Sequence, residues 1–201
     1  MKGMKAVIFD LGGVLVNYDG YDTFTAVSEM AGISMEEMYR FYQQHDHDFG
    51  TGKLSGLDYY QKLDEAYGLA DNYEVFATAF CRNQQRNEPA LAFARDLQAR
   101  PDVKVGIISN TNEVHAHWLR THLPEFQQFS SVILSNEVGL LKPDPAIFKL
   151  VLSQLNVAPA QAVFVDDAAE NVAGGTAVGL AGIHHTNWQR TRPAIEEWLQ
   201  I

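Results

Sequence analysis

Cysteine is almost absent from this 201-residue chain, in which Cys81 is the only one. No internal disulfide can therefore form, and we expect a reducing compartment, the cytoplasm. Positive charge is also scarce, because 15 lysines and arginines stand against 25 aspartates and glutamates, for a formal net charge of −10. This balance disfavours binding to nucleic acid or to an anionic membrane. A phosphorylated ligand would need a local positive site.

Long apolar runs are missing as well. The first one, at residues 6–9, is too short for a signal peptide or a membrane span, so we expect neither. Internal repeats and low-complexity tracts are not seen. The length accommodates one domain with an insertion or a small lid. A hydrophobic content of 46% is ordinary for a folded globular protein.

Two apolar runs of strand length deliver carboxylates at their C-terminal ends. Residues 6–9 precede Asp10, and residues 162–165 precede Asp166 and Asp167. In an open parallel sheet these ends lie side by side, and ligands bind in the crevice outside them. Carboxylates crowded there would repel one another unless a cation lay between them. Mg²⁺, which prefers oxygen ligands, is the natural choice.

Strands and helices alternate along the second half of the chain. Strand-like runs are found at 103–108, 132–134, 162–165 and 182–184, and helical patterns at 90–99, 114–122, 144–155, 169–178 and 194–199. Such alternation implies right-handed crossovers between parallel strands. The fold class predicted is α/β, a Rossmann-like doubly wound parallel sheet.

A helical insert interrupts this pattern near the amino terminus. Ser34 and Glu37 form a capping-box pattern, Ser55 opens a second helix, and residues 73–80 give a third. The polar, glycine-punctuated stretch 44–53 predicts a loop, and no strand is predicted in the insert. We therefore predict a catalytic core of residues 1–18 and 86–201 with a small helical cap over residues 19–85.

The polar groups at the predicted strand ends form an inventory for phosphoryl transfer. Asp10, Ser109-Asn110 and Asp166-Asp167 follow three strands, and Lys142 lies in the segment 140–145. A carboxylate can form a covalent phospho-intermediate. Lysine and a metal ion neutralise charge on the transferred group, while positioned donors bind its oxygens.

Four short motifs resemble the phosphatase branch of the haloacid dehalogenase superfamily. They are DLGGVL at 10–15, IISNT at 107–111, Lys142-Pro143, and VFVDD at 163–167. Their order and spacing fit along essentially the whole chain, and the insert is similar to the small helical cap of the family.

This resemblance implies a role for each site residue. Asp10 would be the nucleophile that becomes an aspartyl phosphate. Ser109 and Lys142 would hold the phosphoryl oxygens, and Lys142 would also offset the charge of Asp10. The implied Mg²⁺ ligands are Asp10, the backbone carbonyl of Gly12, Asp167, and Asp166 directly or through water. The expected substrate contacts are Asn110 and the insert residues His45, His47, Asp48 and Phe49.

Gly12 departs from the family pattern. The family's phosphatases usually carry a second aspartate here as general acid and base, a role worth about 10²–10⁴ in rate. The enzyme either favours leaving groups that need little protonation, such as a sugar-1-phosphate, or borrows an acid from the cap, or is a weak or inactive member that binds a phospho-ligand or a protein. A subgroup with glycine here, including sugar-1-phosphate phosphatases, looks most similar. Glycine also argues against a mutase, and the paired acids argue against a metal-free dehalogenase.

Each motif also has a purely structural explanation. Asp10, Ser109-Asn110 and Asp166-Asp167 could cap the helices that follow them. Lys142 could be a solvated surface lysine, and His45 and His47 could be surface residues or metal ligands. Asn171 and Glu170 could support the metal site or belong to an exposed helix face. The combined motifs favour a Mg²⁺-dependent phosphomonoesterase, monomeric or homodimeric, for a small phosphorylated metabolite such as a sugar phosphate.

Overall fold

The computed structural model describes residues 3–18 and 20–201. Met1, Lys2 and Asp19, which the predicted domain bounds include, lie outside the described residues. The strands are β1 (Lys5–Phe9), β2 (Val16–Asn17), β3 (Gln85–Arg86), β4 (Val103–Ser109), β5 (Ser131–Leu134), β6 (Ala162–Asp166) and β7 (Ala181–His184). The α-helices are α1 (Gly20–Ala31), α2 (Met35–Gly50), α3 (Gly56–Tyr67), α4 (Tyr73–Cys81), α5 (Glu88–Gln98), α6 (Glu113–His122), α7 (Ser135–Val138), α8 (Pro145–Leu155), α9 (Ala169–Ala177) and α10 (Trp188–Leu199).

Five strands form a sheet in which every neighbouring pair is parallel, in the order β5-β4-β1-β6-β7. In the centre, Phe9 of β1 pairs with Ile107 of β4 on one side and with Val165 of β6 on the other. The chain builds the sheet outward from β1 in both directions, which opens a crevice at the C-terminal end of β1. The predicted α/β, Rossmann-like doubly wound sheet is confirmed.

Helices cover both faces of this sheet. Val7 and Phe9 of β1 pack in a cluster with apolar side chains of α5, α6 and α10. Ala6 and Ile8 point to the opposite face and pack in a second cluster with α8. All four residues are fully buried. Burial on both faces explains why the central strands are nearly continuous in apolar residues.

The insert, which we define as α1 to α4, lies between β2 and β3. Its helices share an apolar cluster that includes Phe76 and Phe80 and also takes in Val114 of α6. β2 and β3 pair antiparallel, with Val16 opposite Arg86, and so tie the two ends of the insert together. The sequence predicts no strand here, because two-residue strands carry no alternation. The separate cluster supports the proposed cap over residues 19–85.

The loop predicted over residues 44–53 is wrong in its first part, because α2 extends into it. The helix begins at the predicted capping box. Further along, Phe41, His45 and Phe49 recur at helical spacing, and all three rings contact Tyr59. These contacts stabilise the final turns, although the residues between them are polar.

The remaining predicted elements differ from the structure mainly at their ends. The largest difference is α10, which begins at Trp188 instead of residue 194. Asn187 caps it by accepting from the N–H of Arg190 at 3.1 Å, and Pro193 lies inside the helix. Among the described residues, no helix is long and apolar enough to cross a bilayer.

Candidate active site

Asp10 stands at the C-terminal end of β1, between the ends of its two neighbours in the sheet. Its N–H donates to the carbonyl of Val165 at 2.9 Å, which carries the pairing of β1 with β6 one residue further. Ser109 ends β4, and Asp166 ends β6. Asp10, Ser109 and Asp166 are all buried. The sheet therefore brings the predicted nucleophile next to a hydroxyl and a second carboxylate.

The ammonium of Lys142 joins the two buried carboxylates. Its Nζ lies 2.7 Å from Oδ1 of Asp10 and donates to Oδ2 of Asp166 at 2.6 Å. Lys142 is only 4% exposed, so its charge depends on these partners instead of bulk water. A solvated surface lysine is thereby excluded.

Asn110 fixes the backbone that carries this lysine. Its Oδ1 accepts from the N–H of Lys142 at 2.8 Å, and its Nδ2 donates to the carbonyl of Lys142 at 2.9 Å. The following peptide bond, to Pro143, is cis. Asn110 borders the cavity described below, but both ends of its amide are engaged with Lys142. Asn110 therefore positions the lysine, and its contact with substrate stays a prediction.

Asp166 is held in one orientation by neighbours from the start of α9. Its Oδ1 accepts from the N–H of Ala168 at 2.8 Å, and the amide of Asn171 spans both carboxylate oxygens at 3.1 and 3.2 Å. Asp166 is fully buried and Asn171 is buried as well. Of the two explanations open for Asn171, support of the acidic cluster is the one that the structure shows.

A third carboxylate, that of Asp167, completes an acidic cluster. Asp10, Asp166 and Asp167 each place an oxygen within 4.8 Å of the others. A Cβ on Gly13, which has a φ of +72°, would lie 2.3 Å from Oδ2 of Asp167, so the loop after β1 packs directly on this carboxylate. Three carboxylates and one ammonium leave an excess of two negative charges when all are ionised. This oxygen-donor set fits a divalent cation such as Mg²⁺.

Burial and mutual charge shift the pKa values of these groups. Burial, reinforced by the charge of Asp166, raises the pKa of Asp10 to about 6, against the opposing effect of Lys142. Burial works against the charged form of Lys142, but Asp10 and Asp166 together raise its pKa above the ordinary value. Burial and the charge of Asp166 raise the pKa of Asp167. Shifts with these causes are typical of functional clefts.

A family model described as haloacid dehalogenase-like hydrolase matches residues 4–179. The chain belongs to the haloacid dehalogenase-like hydrolases. The match covers all four motifs that carry the resemblance, which is thereby confirmed.

Three relatives of this haloacid dehalogenase-like chain are named phosphatases. A sesquiterpene phosphatase of Aspergillus oryzae is 31% identical over 188 residues, which cover 91% of this chain and 90% of that protein. A phosphorylated carbohydrates phosphatase of Thermotoga maritima is 26% identical, with 90% and 84% covered. A D-ribitol-5-phosphate phosphatase of Bacteroides thetaiotaomicron is 25% identical, with 88% and 89% covered. The prediction of a hydrolase in the phosphatase branch is confirmed.

Solved structures of the family share the fold. A crystal structure of a haloacid dehalogenase family enzyme of Bacteroides thetaiotaomicron, in complex with magnesium and inorganic phosphate, has a TM-score of 0.79 at 21% identity, with 94% of this chain and 99% of that chain covered. A predicted family hydrolase of Porphyromonas gingivalis has a TM-score of 0.82 at 23% identity, with 98% of each chain covered.

A cavity of about 510 Å³ extends from the acidic cluster to the insert. The core contributes Asp10, Lys142 and Asp167 to its walls, while α2 contributes His47 together with Tyr42 and Asp46. The sequence does not single out either of the last two. Asp46 lies inside the predicted loop 44–53, which hides which side chains share a face, whereas Tyr42 precedes that loop. Of the insert residues named as substrate contacts, His47 is the one that borders the cavity.

The other insert residues named as substrate contacts lie elsewhere. Phe49 is fully buried, and its ring stacks on Tyr59 at 4.4 Å between centroids. Nδ1 of His45 lies 2.9 Å from the carbonyl of Phe41. Asp48 is exposed, 3.9 Å from the ammonium of Lys53. Because a helix replaces the predicted loop, these three side chains point away from the cavity.

His115 of α6 is a buried cavity residue that the sequence does not single out. Its Nε2 lies 3.1 Å from the carbonyl of Phe80 in the insert. Burial lowers the pKa of His115 to about 4, so the ring is neutral near pH 7 and donates from Nε2. The contact joins the core to the insert across 35 residues of chain, so no local motif could have revealed it.

Proposed function

We propose that this chain is a Mg²⁺-dependent phosphomonoesterase that hydrolyses a small phosphorylated metabolite through an aspartyl phosphate on Asp10. The observation that carries the proposal is the buried contact of Lys142 with both Asp10 and Asp166, with Asp167 beside them at the floor of a cavity. The phosphatase relatives support the reaction class.

The acidic cluster defines where the ion would bind. Asp10, Asp166, Asp167 and the backbone carbonyl of Gly12 would hold Mg²⁺, with Asp166 bound directly or through water. When bound, the ion offsets the excess negative charge of the cluster and polarises the phosphoryl group. The fixed orientation of Asp166, set by Ala168 and Asn171, prepares the cluster for this role.

The residues of this chain divide the reaction into two displacements. An Asp10 oxygen attacks phosphorus, the bond from phosphorus to the ester oxygen breaks, and the alcohol takes up a proton. The Lys142 ammonium and the Ser109 hydroxyl donate to the phosphoryl oxygens as charge moves onto them. Water then attacks the aspartyl phosphate, which releases phosphate and restores the carboxylate.

Gly12 bears on how the leaving alcohol acquires its proton. A Cβ on Gly12 would meet nothing closer than Tyr18 at 4.0 Å, so the absence of a side chain is not imposed by packing. Of the proposed cap acids, His47 borders the cavity and His45 and Asp48 do not. We propose that leaving groups needing little protonation are preferred, sugar-1-phosphates among them, with His47 as the candidate donor for others.

Phosphate release tests this function directly. The panel should contain sugar-1- and sugar-6-phosphates, nucleotides and an aryl phosphate, each assayed with Mg²⁺ and with chelator, beside Asp10→Asn. We expect turnover that requires the metal and falls by more than about 10³-fold in the variant. A lack of turnover on every ester would favour the alternative of an inactive member that binds a phospho-ligand or a protein.

A further inference from the structure

We infer that the cavity selects phosphate monoesters whose leaving group carries no second negative charge, and that Asp46 is the residue that excludes one. The inference rests on the proposed phosphatase function and deepens it. The substrate class is a monophosphate of an uncharged alcohol, such as a polyol, a sugar or an apolar alcohol, as opposed to a bisphosphate, a nucleotide or a phosphorylated acid.

Fixed positive charge is scarce around the cavity. Among the described residues that line it, Lys142 is the one lysine, and no arginine borders it. Its ammonium is already shared between Asp10 and Asp166 at 2.7 and 2.6 Å. The phosphoryl group that is to be transferred would use this cation. A second phosphate or a carboxylate on the substrate would therefore find no fixed cation in the described wall.

The insert side of the cavity carries an acidic side chain. Asp46 borders the cavity from α2 and is exposed at its mouth. Its Oδ1 accepts from the N–H of His47 at 2.7 Å, and within the described chain no lysine or arginine forms a salt bridge with it. Its charge is one of the causes that raise the pKa of Tyr42, after burial and Tyr18, and both side chains border the cavity. An anionic leaving group would meet this unpaired carboxylate.

The remaining wall of the cavity suits an uncharged group. Tyr18, Phe24, Tyr42 and Phe80 line the cavity with aromatic rings. The ring centroids of Phe24 and Tyr42 lie 5.0 Å apart, and those of Phe80 and the neutral His115 lie 4.8 Å apart. Such faces pack against the C–H surfaces of alcohols and sugars.

The chain offers a matched control for Asp46. Asp48 lies two residues along the same helix, is also exposed, and does not border the cavity. Asp48→Asn removes the same formal charge as Asp46→Asn from nearly the same place. A difference between the two variants therefore reports the position of the charge and not the net charge of the protein.

Three aryl phosphates test the inference, because an aryl leaving group needs little protonation. They are phenyl phosphate, para-carboxyphenyl phosphate and para-(aminomethyl)phenyl phosphate, assayed at about pH 8, where an ordinary histidine is neutral. We expect kcat/KM for the neutral ester to exceed that for the carboxylate ester by about tenfold, chiefly through KM, and the cationic ester to be at least as good as the neutral one. The ratio should shrink in high salt.

The variants sharpen this test. Asp46→Asn should bring the neutral-to-anionic ratio to within about threefold, Asp46→Lys should reverse it, and Asp48→Asn should leave it as in the wild type. Equal kcat/KM for all three esters, with activity still lost in Asp10→Asn, would overturn this inference and leave the phosphatase proposal standing. Release of phosphate from none of the esters would overturn both.

Discussion

The core side and the insert side of the cavity are built in opposite ways. On the core side, Lys142 and Asp166 are almost entirely removed from water, and each charge lies within 2.7 Å of an opposite one. On the insert side, Asp46 and His47 are exposed near the end of one helix. Buried charges depend on one another, whereas exposed ones can be changed singly. The contrast places the chemistry on the core side and the choice of substrate on the insert side.

The largest effect is expected when the buried carboxylates of Asp10 and Asp166 lose the ammonium of Lys142. Lys142→Met should leave two buried carboxylates unpaired, reduce kcat by about 10²–10³-fold and destabilise the protein by about 3–5 kcal/mol. Urea unfolding and phosphate release measure the two effects. Lys53→Met is the control, because its ammonium is exposed and lies 3.9 Å from Asp48. Equal losses of activity and stability in the two variants would contradict the contrast between buried core charges and exposed insert charges.

The second largest effect concerns the two glycines of the first motif, which should differ in the stability that is lost when alanine replaces them. Gly13→Ala would place Cβ 2.3 Å from Asp167 at a φ of +72°, whereas the same change at Gly12 meets only Tyr18 at 4.0 Å. We expect Gly13→Ala to cost about 1–3 kcal/mol of unfolding free energy and Gly12→Ala about 0.5 kcal/mol or less. Thermal unfolding of both proteins provides the comparison, and equal costs would refute the close packing of this loop on Asp167.

The buried nucleophile should make stability depend on pH. Its pKa of about 6 in the folded state lies above the ordinary 3.8, so the folded protein binds the proton more tightly between these values. Stability of the metal-free protein should therefore fall as pH rises from about 4 to about 6, and the loss should be complete above that window. Asp10→Asn should remove this slope and be more stable by about 1–3 kcal/mol at pH 7. Urea titrations in chelator across this range measure the stability of both proteins. The same dependence of stability on pH in the wild type and in Asp10→Asn would contradict this assignment.

A carboxylate introduced at position 12 tests whether its absence limits the turnover of esters whose leaving group needs a proton. Because the position has room for a side chain, we expect Gly12→Asp to raise kcat for alkyl phosphates by about tenfold and to change aryl phosphate turnover little. Gly12→Asn is the matched control, since it has the same size without the acid. A similar gain for both ester types would contradict the leaving-group explanation.

The smallest effect is expected for His47 on the insert side. His47→Ala should raise KM by about threefold and alter the pH–rate profile for alkyl phosphates, because His47 borders the cavity. His45→Ala, whose ring lies against Phe41 and Tyr59, should leave the profile unchanged. Steady-state kinetics over a range of pH measures both, and an unchanged profile for His47→Ala would remove it as a proton donor.

The sequence predicts the core side far better than the insert side. Asp10, Ser109 and Asp166 follow apolar runs of strand length, and parallel strands bring their C-terminal ends to one edge. That rule is independent of packing detail, so the placement of these residues is confirmed. The bond of Lys142 to Asp166, in addition to the expected contact with Asp10, lies beyond it, because Lys142 stands between α7 and α8 and not at the end of a strand.

The insert side depends on which face of a helix each residue occupies. The polar residues around His47 predict a loop. In the structure, the aromatic contacts of Phe41 and Phe49 with Tyr59 stabilise a helix there. A change from loop to helix redirects every side chain in the segment, which is why Asp46 is missed and Phe49 is misassigned. Long-range pairs such as Asn110 with the Lys142 backbone leave no local pattern either.

The most direct test of the account is the identity of the residue that receives the phosphoryl group. The enzyme would be mixed with Mg²⁺ and an aryl phosphate, quenched in acid during turnover, digested and analysed by peptide mass spectrometry. We expect one added phosphoryl group on the peptide that contains Asp10, and none in Asp10→Asn. Turnover without any labelled peptide, together with activity retained in Asp10→Asn, would show that water attacks directly and would contradict the central claim.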